Sequence, residues 1–311
     1  MLRALASLLL MIPLFAAAEQ DIPYLLTAAS KGDVNTVRAM LESGASPNTK
    51  DAEGITALMY AARKGNAQAA AALLDKGADV NTRDAEGWTA LMYAAKKNFV
   101  DTVKVLLDKG ADITVRDPSG WSAMGLAATS GYNDVVGLLI KQGASANGKS
   151  DDGRSMLMYA AKSGDVPTIK TLLENGADMS AHDRLGMTAP MYAARDGHIA
   201  ALQVMLDAGA HVNDRDNTKW TALNWAVKKS SIEAARALIA KGADVNSRDS
   251  EGTTLLQYAV DTGSVTLVKL FLDSGADVKA KDQYGLTALV YAMKNRKPEI
   301  VKIIKEAGGS Y

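Results

Sequence analysis

Glycine returns every 33 residues through this chain, at Gly44, Gly77, Gly110, Gly143, Gly176, Gly209, Gly242, Gly275 and Gly308. Such phasing demands one supersecondary unit stacked on copies of itself. The unit is clearest from Ala85 to Asp117, AEGWTALMYAAKKNFVDTVKVLLDKGADITVRD. Gly87 sits where a hairpin turn needs positive φ, and Thr89 opens an apolar run, Ala90 to Ala95, that suits a short helix. Val103, Leu106 and Leu107 then stand at i, i+3 and i+4, a second helix that Gly110 ends in the left-handed conformation. Neither helix reaches the roughly 12 residues at which an isolated helix becomes even marginal. Each unit must therefore bury its apolar face on a neighbour. The predicted fold is all-α, a solenoid of about nine 33-residue helix-loop-helix units joined by hairpin turns.

The apolar pair before the glycine recurs as Met40-Leu41, Leu73-Leu74, Leu172-Leu173 and Phe271-Leu272, but becomes Ile304-Lys305 in the last unit. That polar substitution, and the lack of a glycine hairpin before Tyr24, are what the two ends of a stack need where they meet water. Both ends read as capping repeats.

From about residue 22 to residue 311 the pattern resembles the ankyrin repeat family, whose unit reads Gly-x-Thr-Pro-Leu-His, then Ala-Ala, Gly, Leu-Leu and Gly-Ala-Asp. The family's Thr-Pro-Leu-His stands here as Thr56-Ala57-Leu58-Met59, Thr89-Ala90-Leu91-Met92, Ser155-Met156-Leu157-Met158 and Thr188-Ala189-Pro190-Met191. Methionine packing is expected to replace the histidine network. The glycine between the two helices is replaced by Asn98, Ser230 and Arg296, and the hairpin glycine of repeat seven by Lys219, so strain is expected over residues 217–231.

Met1 to Ala18 has a basic start at Arg3, a mostly apolar run of 12 residues from Ala4 to Phe15, and Ala16-Ala17-Ala18 before polar residues. These are the three regions of a secretory signal peptide, and the run is short of the roughly 20 residues a membrane span needs. The expected organisation is a cleavable signal over 1–18 and a single repeat domain over 19–311. Export to a bacterial periplasm, or secretion, follows, with no membrane insertion after cleavage. The chain has no cysteine, so no disulfide and no thiol for a lipid anchor.

Losing Arg3 leaves 34 basic against 35 acidic residues, a balance that argues against a general nucleic-acid or membrane-surface binder. In ankyrin proteins the hairpin tips and the late positions of the first helix form the concave binding surface. The resemblance places Lys96, Lys97, Arg195, Lys228 and Lys229 at those late positions, a basic stripe suited to an acidic patch on a protein partner or to ordinary solvation. The position after the hairpin glycine carries Trp88, Trp121, Arg154, Met187 and Trp220, residue types enriched at interfaces. Two readings stand: an exposed binding column, or indoles that cover the next repeat and stiffen the hairpins. Trp225 replaces a tyrosine of the helical series and reads as packing.

No chemistry-bearing constellation appears. His182, His198 and His211 hold three different places in the repeat and do not converge as metal ligands would. There is no nucleophile elbow and no phosphate loop, and Asp151-Asp152 and Asp214-Arg215-Asp216 suit turns rather than a calcium loop. The expectation is a non-catalytic monomer without cofactor or metal. Its roles, in order of support, are a scaffold for a protein partner in the bacterial envelope, an inhibitor or immunity protein for a periplasmic or secreted enzyme, and a secreted effector that binds host proteins.

Overall fold

Short helices in pairs make up the chain, as the spacing requires. The computed structural model describes residues 24–311; the expected signal segment over 1–18 lies outside the described residues. The first helices of the repeats are α1 (24–31), α3 (Ala57–Lys64), α5 (Ala90–Lys96), α7 (Ala123–Thr129), α9 (Met156–Ser163), α11 (Ala189–Asp196), α13 (Ala222–Lys228), α15 (Leu255–Thr262) and α17 (Ala288–Lys294). The second helices are α2 (Val34–Glu42), α4 (Ala67–Asp75), α6 (Val100–Asp108), α8 (Asn133–Lys141), α10 (Val166–Glu174), α12 (Ile199–Asp207), α14 (Ile232–Ala240), α16 (Val265–Asp273) and α18 (Pro298–Glu306). The repeats form two compact units, one running to Ala127 with Asp134–Ala144, the other comprising Ala128–Asn133 and Ser145–Tyr311.

Within the first unit α3 packs on α4 and α5, α5 on α6, and α2, α4 and α6 pack in series. In the second unit α9, α11, α13, α15 and α17 pack in one series and α10, α12, α14, α16 and α18 in another. The alanine pairs Ala61-Ala62, Ala94-Ala95, Ala160-Ala161 and Ala193-Ala194 are fully buried, so the first helices approach closely. The apolar pairs contribute Leu73, Leu106, Leu172, Met205, Leu238 and Phe271, all fully buried. Among the described residues the hairpins form isolated antiparallel bridges, such as Lys50 with Thr56 and Arg248 with Thr254, rather than strands.

From α3 onward each first helix follows a serine or threonine. Thr56 Oγ1 accepts from the Met59 amide at 3.2 Å, and the Thr56 amide donates to the Met59 thioether at 3.4 Å. The same reciprocal cap joins Ser155 to Met158, while Gln257 Oε1 accepts from the Thr254 amide at 2.7 Å. Methionine thus does more than pack in place of histidine, because its sulfur is the acceptor that closes the capping box.

All nine phased glycines have positive φ, and a Cβ there would meet nothing within 4 Å at Gly44, Gly110 or Gly275. Backbone conformation, not space, selects glycine at these helix ends: the Ala111 amide reaches Leu106 O and the Gly110 amide Leu107 O in a left-handed cap. Asn98, Lys219, Ser230 and Arg296 take φ between 54° and 65° without being glycine, two of them in repeat seven. A non-glycine residue in this region costs about 1–2 kcal/mol, offset in part by the larger entropy glycine loses on folding. We expect Lys219→Gly and Ser230→Gly each to stabilise the protein by about 0.5–1 kcal/mol. A thermal midpoint that fell in both variants would show the strain to be absent.

Candidate functional site

The carboxylate that opens each hairpin organises the surface beside it. Asp183 Oδ1 accepts from the Leu185 and Met187 amides at 2.8 and 2.9 Å, and its Oδ2 accepts from the Tyr192 hydroxyl at 2.6 Å. One side chain closes the turn and ties it to the helix that follows. The pattern repeats for Asp51 with Tyr60, Asp84 with Tyr93, Asp249 with Tyr258 and Asp282 with Tyr291, at 2.6–2.8 Å. In repeat seven Trp225 takes the tyrosine's place and donates Nε1 to Asp216 at 3.1 Å. Repeat four has Leu126 at that position, and Asp117 Oδ2 instead accepts from Trp88 Nε1 at 3.1 Å. Repeat five begins with Ser150, whose hydroxyl bonds Asp152 and lies 3.0 Å from the Tyr159 hydroxyl.

Burial and these bonds together raise the phenols. Burial, with the Asp183 carboxylate adding to it, pushes Tyr192 up to about 12, against an opposing bond from Arg154. Burial and Asp282 push Tyr291 up to about 12 as well, and Tyr93 and Tyr258 are raised for the same reasons. Tyr60 is raised chiefly by its bond to Asp51. Burial raises the Asp152 carboxyl, but the Ser150 hydroxyl and Arg154 outweigh it and hold it below the usual range.

On this frame lies a row of arginine and aromatic side chains in the second unit. Arg154 donates Nε to the Tyr192 hydroxyl at 2.7 Å and pairs with Asp152 at 2.8 Å. Its guanidinium and that of Arg195 lie 5.5 and 4.5 Å from the Tyr192 ring centre. Arg195 also lies 6.0 Å from Trp225 and is held in two bonds of 3.0 Å to Asp196. Trp220 meets Trp225 edge-on at 4.7 Å and Tyr258 at 5.2 Å. In the first unit Trp88 leans on Tyr93 at 5.0 Å, with Arg63 6.0 Å from the same ring.

Placement of the expected site residues divides them. Lys96, Lys97, Lys228 and Lys229 are exposed at the ends of α5 and α13. Trp88, Trp121, Trp220, Arg154 and Arg195 are half-buried. Met187 is buried at 2 % exposure, and Ile55 and Thr253 of the same column are buried too, so the column is not the exposed row that was expected. Trp88 and Trp220 of this column find aromatic partners in the helices that follow. Arg154 and Arg195 are tied to carboxylates of their own unit. The histidines remain apart, with His198 Nε2 set 3.0 Å from Lys162 O, and among the described residues no three His, Asp or Glu side chains are grouped to hold a metal. No helix among the described residues is long and apolar enough to cross a membrane.

One polar group in the row is unmatched. Gln257 Nε2 donates to Leu286 O of the next hairpin at 2.7 Å, whereas Nδ2 of the equivalent Asn224 is buried without a partner because its side chain is one methylene shorter. Asn224→Gln restores the reach to the next repeat, and about 1 kcal/mol of stabilisation is expected. A lower urea midpoint in this variant would contradict that account.

A stack of two-helix units whose carboxylates and phenols brace its own hairpins defines a repeat protein that works through its surface. The chain belongs to the ankyrin repeat family: the family model, Ankyrin repeats (3 copies), matches residues 25–117, 114–183, 157–249 and 247–310. Its structure is similar to the crystal structure of the human ASB11 ankyrin repeat domain, with a TM-score of 0.65 and 26% identity, over 71% of this chain and 98% of that one. No curated protein matches. Ankyrin repeats mediate protein–protein interaction, and the fold is typically a non-catalytic scaffold.

Proposed function

We propose that this protein is a non-catalytic, monomeric scaffold of the bacterial envelope, exported by its N-terminal segment, that binds a protein partner carrying an acidic patch. The observation that carries the reading is the contrast between braced and unbraced charge. Hairpins, tyrosines and arginines are locked to one another, while Lys97, Lys228 and Lys229 project from the ends of first helices with no ion-pair partner among the described residues. Half-buried aromatics held by their own contacts, together with exposed cations that have no ion pair, make a surface that is costly to deform and quick to attract an opposite charge. Export rests on the basic, apolar and alanine-rich regions of residues 1–18.

The test is association with a partner captured from bacterial envelope extract. Replacing Lys96, Lys97, Lys228 and Lys229 by glutamine should slow association by at least about tenfold at low ionic strength and flatten its dependence on salt. Triple alanine substitution of Trp88, Trp121 and Trp220 should instead speed dissociation. An association rate indifferent to both salt and the lysines would remove the electrostatic basis of the reading.

A further inference from the structure

The cations of the first unit are arranged in a way those of the second are not. Lys31, Lys64 and Lys97 occupy one position of the repeat, 33 residues apart, at the ends of α1, α3 and at the cap of α5, and all three are exposed. Arg63 and Lys96 stand beside them. The corresponding positions of the second unit read Ser130, Ser163, Asp196, Lys229, Thr262 and Asn295, which is no continuous column. Contacts between repeats align the helix ends: Asn66 Nδ2 donates to both Ala29 O and Ser30 O at 2.9 Å, and Phe99 covers the turn at Gly65, where a Cβ would meet the ring at 2.6 Å.

Nearby carboxylates offset this column only in part, and none lies within ion-pair distance of Lys31, Lys64 or Lys97 among the described residues. Asp33 caps α2 by accepting from the Thr36 amide and hydroxyl at 3.0 and 2.6 Å, and Lys31 adds to these bonds in holding its carboxyl below the usual range. Asp51 and Asp84 are held by Tyr60 and Tyr93. Glu53 and Glu86 belong to the hairpins, beyond the opposite ends of α3 and α5, about 12 Å along the helix. Lysines of the second helices do find partners, Lys109 with Asp75 at 2.7 Å and Lys104 with Asp101 at 3.6 Å. Cations at helix ends gain a few tenths of a kcal/mol from the macrodipole, which accounts for each lysine singly and not for their common phase.

We infer that the Lys31–Lys64–Lys97 column of the first unit is the docking track for an extended acidic segment in polyproline II conformation that presents one carboxylate every third residue. Packed helices lie about 8–10 Å apart, so the backbone positions that carry successive lysines repeat at about that spacing, within reach of their side chains. A polyproline II chain has three residues per turn and rises about 3.1 Å per residue, so every third side chain returns to the same face after about 9 Å. A β-strand cannot match this, because residues three apart point to opposite faces. The inference rests on the proposed reading of an acidic protein partner and names the shape and register of the segment that partner offers.

The test uses synthetic peptides on the purified protein. The probe is a labelled (Glu-Pro-Pro) repeat, compared with a peptide of identical composition whose glutamates form one block. The repeat peptide should bind at least about tenfold more tightly at low salt, and Lys31→Gln, Lys64→Gln and Lys97→Gln together should abolish that preference. Lys104→Gln on α6 should leave it intact, and unchanged thermal midpoints would show that these exposed substitutions spare the fold. Equal affinity for the two peptides overturns the register while leaving an acidic partner in place. A preference that survives the triple substitution, or no binding of either peptide, overturns the docking track itself. The scaffold reading is judged separately by its association rates.

Discussion

Asp183→Ala is expected to lower stability by about 3–5 kcal/mol, more than any other single substitution considered for this molecule. The Asp183 side chain is 2 % exposed and holds two backbone amides, the Tyr192 hydroxyl and, 3.7 Å away, Arg154. Removing it leaves the buried Met187 amide and Tyr192 hydroxyl without that acceptor, at about 1 kcal/mol or more each, and the part-buried Leu185 amide with a smaller loss. Arg154 keeps Asp152 as a partner, which limits the electrostatic part of the loss. Tyr192→Phe removes two bonds, the one the hydroxyl donates to Asp183 and the one it accepts from Arg154, and should cost about 2 kcal/mol; a double-mutant cycle with Asp183→Ala measures the coupling of the phenol to the carboxylate, with the Arg154 bond lost in both arms that lack the phenol. Repeat arrays can unfold in parts, which makes hydrogen exchange within residues 183–207 a sharper readout than a single midpoint. If Asp183→Ala lay within about 1 kcal/mol of the parent protein, the carboxylate would not be the brace described here.

The repeat phase, both helices of each unit and the positions needing positive φ were legible because they are local. Spacing alone places Gly110 at a helix end and Lys219 in a strained turn. The brace was also written in the sequence, as a nine-residue step from Asp51 to Tyr60 that recurs at Asp84, Asp183, Asp249 and Asp282; reading only Asp151-Asp152 and Asp214-Arg215-Asp216, and those as turn acids, left that step unused. Exposure of the tryptophan column was not legible. Whether the residue after the hairpin glycine faces water depends on the helix aromatic five positions on and on the adjacent repeats, so Met187 is buried while Trp220 lies half-buried against Trp225 and Tyr258. The steering role of Arg154 and Arg195 is narrowed for a similar reason, since Asp152 and Asp196 hold them within their own unit.

Raising the pH through the interval from 10 to 12 should unfold this protein in a way that follows its braced tyrosines. In the unfolded chain a phenol loses its proton near 10, whereas in the folded protein Tyr192 and Tyr291 hold theirs to about 12. Between those values the unfolded state binds fewer protons, so stability falls as pH rises; it is present in full below pH 10 and lost as the pH passes 12. For the buried Tyr192 two units correspond to about 2–3 kcal/mol, and the half-buried Tyr291 contributes less because solvent screens it. Phenolate absorbance and the urea midpoint, followed over the same pH series, should move together. Repeat seven supplies the control: Trp225 makes the same bond to Asp216 with an N–H that does not titrate. Tyr291→Trp should therefore keep a donor for Asp282 and lose its share of the alkaline slope, while Tyr291→Phe should lose both. A slope unchanged in both variants would mean that the folded protein holds the Tyr291 proton no more tightly than the unfolded chain does.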